Sequence, residues 1–146
     1  MTLSTYLFFA GECAAAFDLY AEALGGTVVD RSTYAELPST EMPEGASVPA
    51  DEADLIMHMT LQVGDHQLMG SDVSAAFGSA PEVGSHVALS VGVASREEAE
   101  RVFAALLEGG TVQYPLADTF WGAYFGQGTD RFGVRWMVSF DGPREG

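Results

Sequence analysis

The length, charge and cysteine content of the chain exclude several classes of protein. Its 146 residues carry 21 acidic against 6 basic side chains, a net charge of −15, and a field of that sign repels nucleic acids and anionic membrane surfaces. The single cysteine cannot form an internal disulfide, and neither a leader peptide nor a membrane span is recognisable. We therefore expect one cytoplasmic domain with no nucleic-acid or membrane partner.

The first half of the chain predicts a strand, a helix, a strand, a loop and a hairpin. Residues 3–9 are apolar and strand-like, and residues 11–24 have apolar side chains at helical spacing, followed by two glycines that end a helix. Residues 27–34 are rich in β-branched types, whereas residues 35–54 hold three prolines and six carboxylates without a period. We expect that loop to be a mobile lid. Residues 55–70 predict a hairpin.

After a linker at residues 73–84, the second half predicts the same order of elements. Residues 86–93 predict a strand, and Ser95 is a typical N-cap for a helix that continues to two further glycines and a further strand. The closing hairpin, residues 118–137, is rich in aromatic residues interrupted by glycines. Large rings beside glycines indicate the wall of a pocket, although a core hairpin is an equally good interpretation.

A short repeat indicates that the two halves are copies of one module. GGTV at residues 25–28 recurs at residues 109–112, and each copy follows a predicted helix and begins a predicted strand. The order predicts an α+β fold of two βαβββ modules, at residues 1–72 and 85–140, that form curved, mixed sheets. A four-stranded sheet cannot bury both faces alone, and its long edges and apolar hairpin residues predict a homodimer.

The closing hairpin also resembles a family signature. TFWG-x-x-FG followed by TD-x-FG-V-x-WM is similar to the pattern of the PhnB-like branch of the glyoxalase/bleomycin-resistance, or vicinal oxygen chelate, superfamily. The resemblance implies the glyoxalase/bleomycin resistance/dioxygenase fold, whose enzymes hold a divalent metal with His and Glu residues from the first and last strands of each module. Under the repeat alignment those positions fall on or near Tyr6, Met69, Ser90 and Met137. None is a good ligand for Mg, Mn, Fe or Zn, so we expect no metal and no cofactor.

Methionine and tyrosine at these positions, beside the aromatic hairpin, predict a metal-independent small-molecule binding protein. We expect a compact apolar or aromatic ligand in an aromatic- and methionine-lined cavity. The residues expected to border this cavity are Tyr6, His58, Met69, Trp121, Tyr124 and Met137. No catalytic residue is assigned, and whether the chain is an enzyme stays open.

The alternative is a metal-dependent lyase, isomerase or dioxygenase of the same superfamily. It requires a shifted metal site built on His86, with His58 and Asp72 or a residue of a partner chain. Asp72 also fits a solvated strand end. Cys13 has no neighbouring cation and is more typical of a buried structural thiol than of a nucleophile. Arg135 fits either an anionic ligand or a salt bridge.

Overall fold

A computed structural model describes residues 1–38 and 47–142 of the chain. The chain divides into two compact units, Met1–Glu82 and Val83–Gly146. Each unit contains one α-helix and one four-stranded sheet. This arrangement confirms the predicted α+β class and the two βαβββ modules. Within the described residues, neither α-helix is long and apolar enough to cross a membrane.

The first unit is a mixed sheet with one helix. Its elements are β1 (Thr5–Phe9), α1 (Cys13–Leu24), β2 (Thr27–Thr33), β3 (Ile56–Val63) and β4 (His66–Asp72). The strands lie in the order β1-β4-β3-β2, with β1 parallel to β4 and the other pairs antiparallel. Short 3-10 helices at Tyr34–Glu36 and Ala50–Glu52 fall inside or overlap the predicted loop. Residues 39–46 of that loop lie outside the described residues, so its role as a lid stays a prediction.

The second unit repeats this topology. Its elements are β5 (Leu89–Gly92), α2 (Arg96–Leu107), β6 (Thr111–Asp118), β7 (Ala123–Thr129) and β8 (Arg135–Asp141), with the strands in the order β5-β8-β7-β6. Ser95 caps α2 as predicted, since its Oγ accepts a hydrogen bond from the backbone N–H of Glu98 at 3.0 Å. Gly25 ends α1 in the left-handed conformation, with φ at 70°, which explains one of the repeated glycines.

Several predicted boundaries are wrong. β5 begins at Leu89, so His86 precedes the strand that was predicted to begin at residue 86. β6 was predicted to span residues 111–114 but continues to Asp118, with register irregularities between Val112 and Ala117 that allow the strand to bend. Phe120 and Trp121 consequently lie in the connection between β6 and β7, not in a strand.

Each helix covers one face of the sheet in its own unit. Phe17 of α1 is completely buried, and a Cβ added to Gly70 of β4 would lie 2.8 Å from its ring. In the second unit, a Cβ on Gly126 would lie 2.7 Å from the ring of Phe103 in α2. Gly126, and Gly128 beside Leu107, thus allow α2 to approach the sheet, which favours the core-hairpin interpretation at these two positions. The opposite side of each sheet is called here its helix-free face.

Candidate functional site

The helix-free face of the first sheet carries three of the predicted site residues. Tyr6 pairs with Met69 across β1 and β4, and Met69 pairs with Thr60 across β4 and β3. Paired residues share a face, and so do residues two apart in one strand, which places His58 beside this row. The structure therefore brings Tyr6, His58 and Met69 to one surface.

Hydrogen bonds connect the polar groups of this surface. The Tyr6 hydroxyl lies 3.1 Å from Nδ1 of His58, and Nε2 of the same ring lies 2.9 Å from Oγ1 of Thr60. The nearer carboxylate oxygen of Asp30, on β2, is 3.6 Å from that Nε2 atom. The Phe8 ring packs against the Tyr6 ring with 5.0 Å between centroids. The surface thus combines aromatic faces, a thioether and a polar chain.

Exposure decreases along this chain from Tyr6 to Thr60. Tyr6 retains 36% of its accessible surface and Phe8 retains 58%, whereas Thr60 retains 6%. Asp30 is largely solvated, so its ion pair with a protonated His58 would stabilise the fold only slightly. Tyr6 is therefore more exposed than Thr60, the buried residue at the other end of these hydrogen bonds.

The helix-free face of the second sheet carries Met137. This residue pairs with Ser90 on β5 and with Gln127 on β7. Phe125 lies on the same face because it is two residues from Gln127. Its ring contacts Trp121 edge-on, with 6.0 Å between centroids, and Trp121 is 52% exposed. Met137 and Trp121 therefore belong to the same surface, with Phe125 between the strand and the turn.

Tyr124 lies on the other face of the second sheet, on the side of α2. It shares the strand parity of Gly126, and its ring lies under the guanidinium of Arg96, 4.0 Å from the ring centroid. Its hydroxyl donates to Glu100 at 3.1 Å, and Arg96 forms an ion pair with Asp118 at 2.6 Å. Desolvation first, and then the Glu100 carboxylate, raise the pKa of the Tyr124 phenol. The structure does not bring Tyr124 together with Met137.

The family's metal positions form two equivalent pairs in the structure. Tyr6 lies beside Met69 in the first sheet, and Ser90 lies beside Met137 in the second. Two thioethers, a phenol and an alcohol do not fit a hard or borderline divalent cation, which prefers carboxylate, imidazole or thiolate ligands. Within residues 1–38 and 47–142, no three His, Cys, Asp or Glu side chains form a group that could hold a metal ion.

Asp72 is neither a solvated strand end nor a ligand at a cavity mouth. It is 2% exposed, and its carboxylate accepts three backbone N–H groups. Oδ1 binds Gly11 and Cys13 at 2.9 Å each, and Oδ2 binds Ile56 at 2.9 Å. It thereby joins the end of β4 to the start of α1 and the start of β3. Sequence reasoning missed this role because the three partners lie far from Asp72 in the chain.

Asp130 gives part of the family signature a structural explanation. Its Oδ1 accepts the backbone N–H groups of Phe132 and Val134, and its Oδ2 accepts the indole N–H of Trp136 at 2.8 Å. Gly133 in the same turn has φ at 91°, a backbone conformation that residues other than glycine rarely adopt. The pattern Asp-x-Phe-Gly-x-x-Trp therefore specifies the turn between β7 and β8, and it carries no ligand information by itself.

The remaining candidates have structural or solvated environments. Burial first, and then the Asp72 carboxylate, raise the pKa of the Cys13 thiol to about 12, which makes a thiolate nucleophile unfavourable. Arg135 donates to the backbone carbonyl of Ser85 at 2.6 Å, and its role towards an anionic ligand stays a prediction. His86 is exposed.

The chain is similar to known proteins of one superfamily. The model of the Glyoxalase/Bleomycin resistance protein/Dioxygenase superfamily matches residues 2–138. Protein YjdN of Escherichia coli strain K12 is 31% identical over 144 residues, which are 95% of each chain.

Solved structures with the same fold cover nearly the whole chain. The crystal structure of protein PA1353 from Pseudomonas aeruginosa is 43% identical, with a TM-score of 0.82 over 97% of this chain and 98% of that one. A PhnB protein from Bacillus cereus is 21% identical, with a TM-score of 0.76 over 96% of this chain and 99% of that one. At that identity the second likeness concerns the fold alone.

Proposed function

The chain belongs to the Glyoxalase/Bleomycin resistance protein/Dioxygenase superfamily, and on that premise we propose that it binds a compact aromatic or apolar molecule without a metal ion. The observation that carries this proposal is the helix-free face of the first sheet. There Tyr6 and Met69 lie side by side at the strand positions where the resemblance implies metal ligands, with the His58 ring next to them. Aromatic faces and a flexible thioether are suited to a flat apolar ligand.

A second surface of similar chemistry supports the proposal. The helix-free face of the second sheet presents Met137, Phe125 and the half-exposed ring of Trp121. We propose Trp121 and Met137 as ligand contacts of this second surface, taken by itself. Tyr124 is left out, because its ring and its hydroxyl are occupied by Arg96 and Glu100 on the side of α2.

The proposal is tested by titrating ¹⁵N-labelled protein with anisole and phenol as probes, in the presence of EDTA. We expect chemical-shift changes centred on the amides of residues 6, 58 and 69. Met69→Ala should weaken binding by about 1–2 kcal/mol, roughly 5- to 30-fold in Kd, because a buried apolar contact is lost. Met59→Ala is the control on the opposite face of β3, since Met59 pairs with Gly70, which lies against Phe17 of α1.

Two results would contradict the proposal. The first is the absence of saturable shifts at these amides up to the solubility limit of both probes. The second is binding that EDTA abolishes and a divalent cation restores, which would favour the metal-dependent enzyme instead. An equal loss of affinity in Met69→Ala and Met59→Ala would count against a ligand site on this face.

A further inference from the structure

The hydrogen bonds on the first sheet run in one direction, because the two nitrogens of the His58 ring face partners that differ in their ability to donate a proton. At one end, Nε2 of His58 faces Thr60 and the carboxylate of Asp30. At the other end, Nδ1 of the same ring faces the Tyr6 hydroxyl. A neutral imidazole has one N–H donor and one acceptor nitrogen, so the partners of one nitrogen decide the role of the other.

The partners of Nε2 favour a proton on that atom. A carboxylate accepts hydrogen bonds and cannot donate them, and the Thr60 hydroxyl accepts as readily as it donates. Nδ1 of a neutral His58 is then an acceptor, and at 3.1 Å it would repel a second acceptor. Tyr6 must therefore direct its hydroxyl proton at the ring. The Tyr6 oxygen has no second proton, so it presents only lone pairs to a ligand.

We propose that Tyr6, oriented by His58, makes this face select compact aromatic molecules that bear an O–H or N–H donor, such as phenols and arylamines. The inference rests on the proposed function, which it narrows from aromatic ligands in general to hydrogen-bond donors. The charge of the surroundings agrees with this selection, since Asp30 adjoins the chain and the protein carries a net charge of −15. Carboxylates and other anionic acceptors are disfavoured there. Tyr6 is a specificity residue in this account, and His58 is a positioning residue.

The test compares phenol, which has a donor, with anisole, which has the same ring and an acceptor only. Wild-type protein should favour phenol over anisole more strongly than Tyr6→Phe does. The ratio of the two Kd values should change by about 3- to 10-fold between these proteins, the effect of one hydrogen bond. Comparing ratios cancels the different hydrophobicity of the probes.

Two further variants distinguish orientation by His58 from a general effect of a hydroxyl. His58→Ala frees the Tyr6 proton, so the variant should bind anisole better relative to phenol than the wild type does. Tyr114→Phe is the control, because Tyr114 is an exposed tyrosine in the other unit, and it should leave the ratio unchanged. The ¹⁵N shifts of the imidazole nitrogens, assigned with His58→Ala, report the tautomer directly and should show the proton on Nε2.

The possible outcomes distinguish a failure of this inference from a failure of the proposed function on which it rests. If both probes bind this face with a ratio that Tyr6→Phe does not change, the inference is refuted and the proposed function stands. A proton on Nδ1 of neutral His58 also refutes the inference. If neither probe shifts the amides of residues 6, 58 and 69, the proposed function fails and the inference fails with it. Circular dichroism of each variant confirms that the sheet is intact.

Discussion

Replacing Asp72 should destabilise the first unit far more than replacing an exposed aspartate. In Asp72→Ala three backbone N–H groups lose their acceptor, those of Gly11, Cys13 and Ile56. Each unsatisfied buried donor costs about 1–3 kcal/mol. The three share one carboxylate, so their costs do not add fully, and we expect a loss of roughly 3–5 kcal/mol. Because whole domains are stable by only about 5–15 kcal/mol, this loss is large.

Asp72→Asn should fall between Asp72→Ala and the wild type. The amide oxygen can still accept the N–H groups of Gly11 and Cys13, while the amide nitrogen faces the N–H of Ile56, where two donors oppose each other. Urea unfolding followed by circular dichroism gives the order of stabilities. Amide hydrogen exchange should accelerate at residues 11, 13 and 56 before it does so elsewhere in the unit.

The matched control is Asp65→Asn, in the exposed turn between β3 and β4. It removes the same negative charge from a chain of net charge −15, so it measures the relief of general repulsion alone. We expect a change within about 0.5 kcal/mol. If Asp72→Ala unfolds within about 1 kcal/mol of the wild type, the carboxylate is not the connection between β4, α1 and β3 that the hydrogen bonds indicate.

Three further predictions concern the buried thiol, the signature turn and the assembly. Cys13 should resist thiol reagents at pH 8 in the folded protein and react in denaturant, because burial raises its pKa to about 12; a native protein that is modified as fast as the unfolded chain would contradict this. The folded pKa exceeds the ordinary thiol value of 9.0, so the contribution of Cys13 to stability should be complete below about pH 9 and be lost as the pH rises towards 12. Cys13→Ser should alter that part of the pH profile. Asp130→Ala should cost roughly 2–4 kcal/mol in urea unfolding, since two turn amides and the Trp136 indole lose an acceptor; an unchanged midpoint would show that the turn forms without it. We propose that the protein is a homodimer, since Phe120 is 98% exposed and the edge strand β6 exposes Tyr114; light scattering should give twice the mass of the chain, and a monomeric mass at all micromolar concentrations would count against it.

The sequence by itself determined the order of the elements and the repetition of one module in the two halves of the chain. Local signals specify these features: a β-branched run, helical spacing, an N-cap serine, and glycines that end a helix. The alternation in β3 also placed His58 and Thr60 on one face and Met59 on the other, since the period of a strand depends on the backbone alone.

Only the tertiary structure decided which face of each strand packs against a helix. It also decided which polar groups from distant parts of the sequence form hydrogen bonds. In β7, Tyr124 and Phe125 are both aromatic, so hydrophobicity does not tell which one faces α2; the glycines at 126 and 128, which share the parity of Tyr124, were the available signal. Asp72 shows the second limit, because its nearest partner in sequence is 16 residues away and the others are about 60. A residue's partners at that separation depend on the order of strands in the sheet, and no local pattern encodes that order.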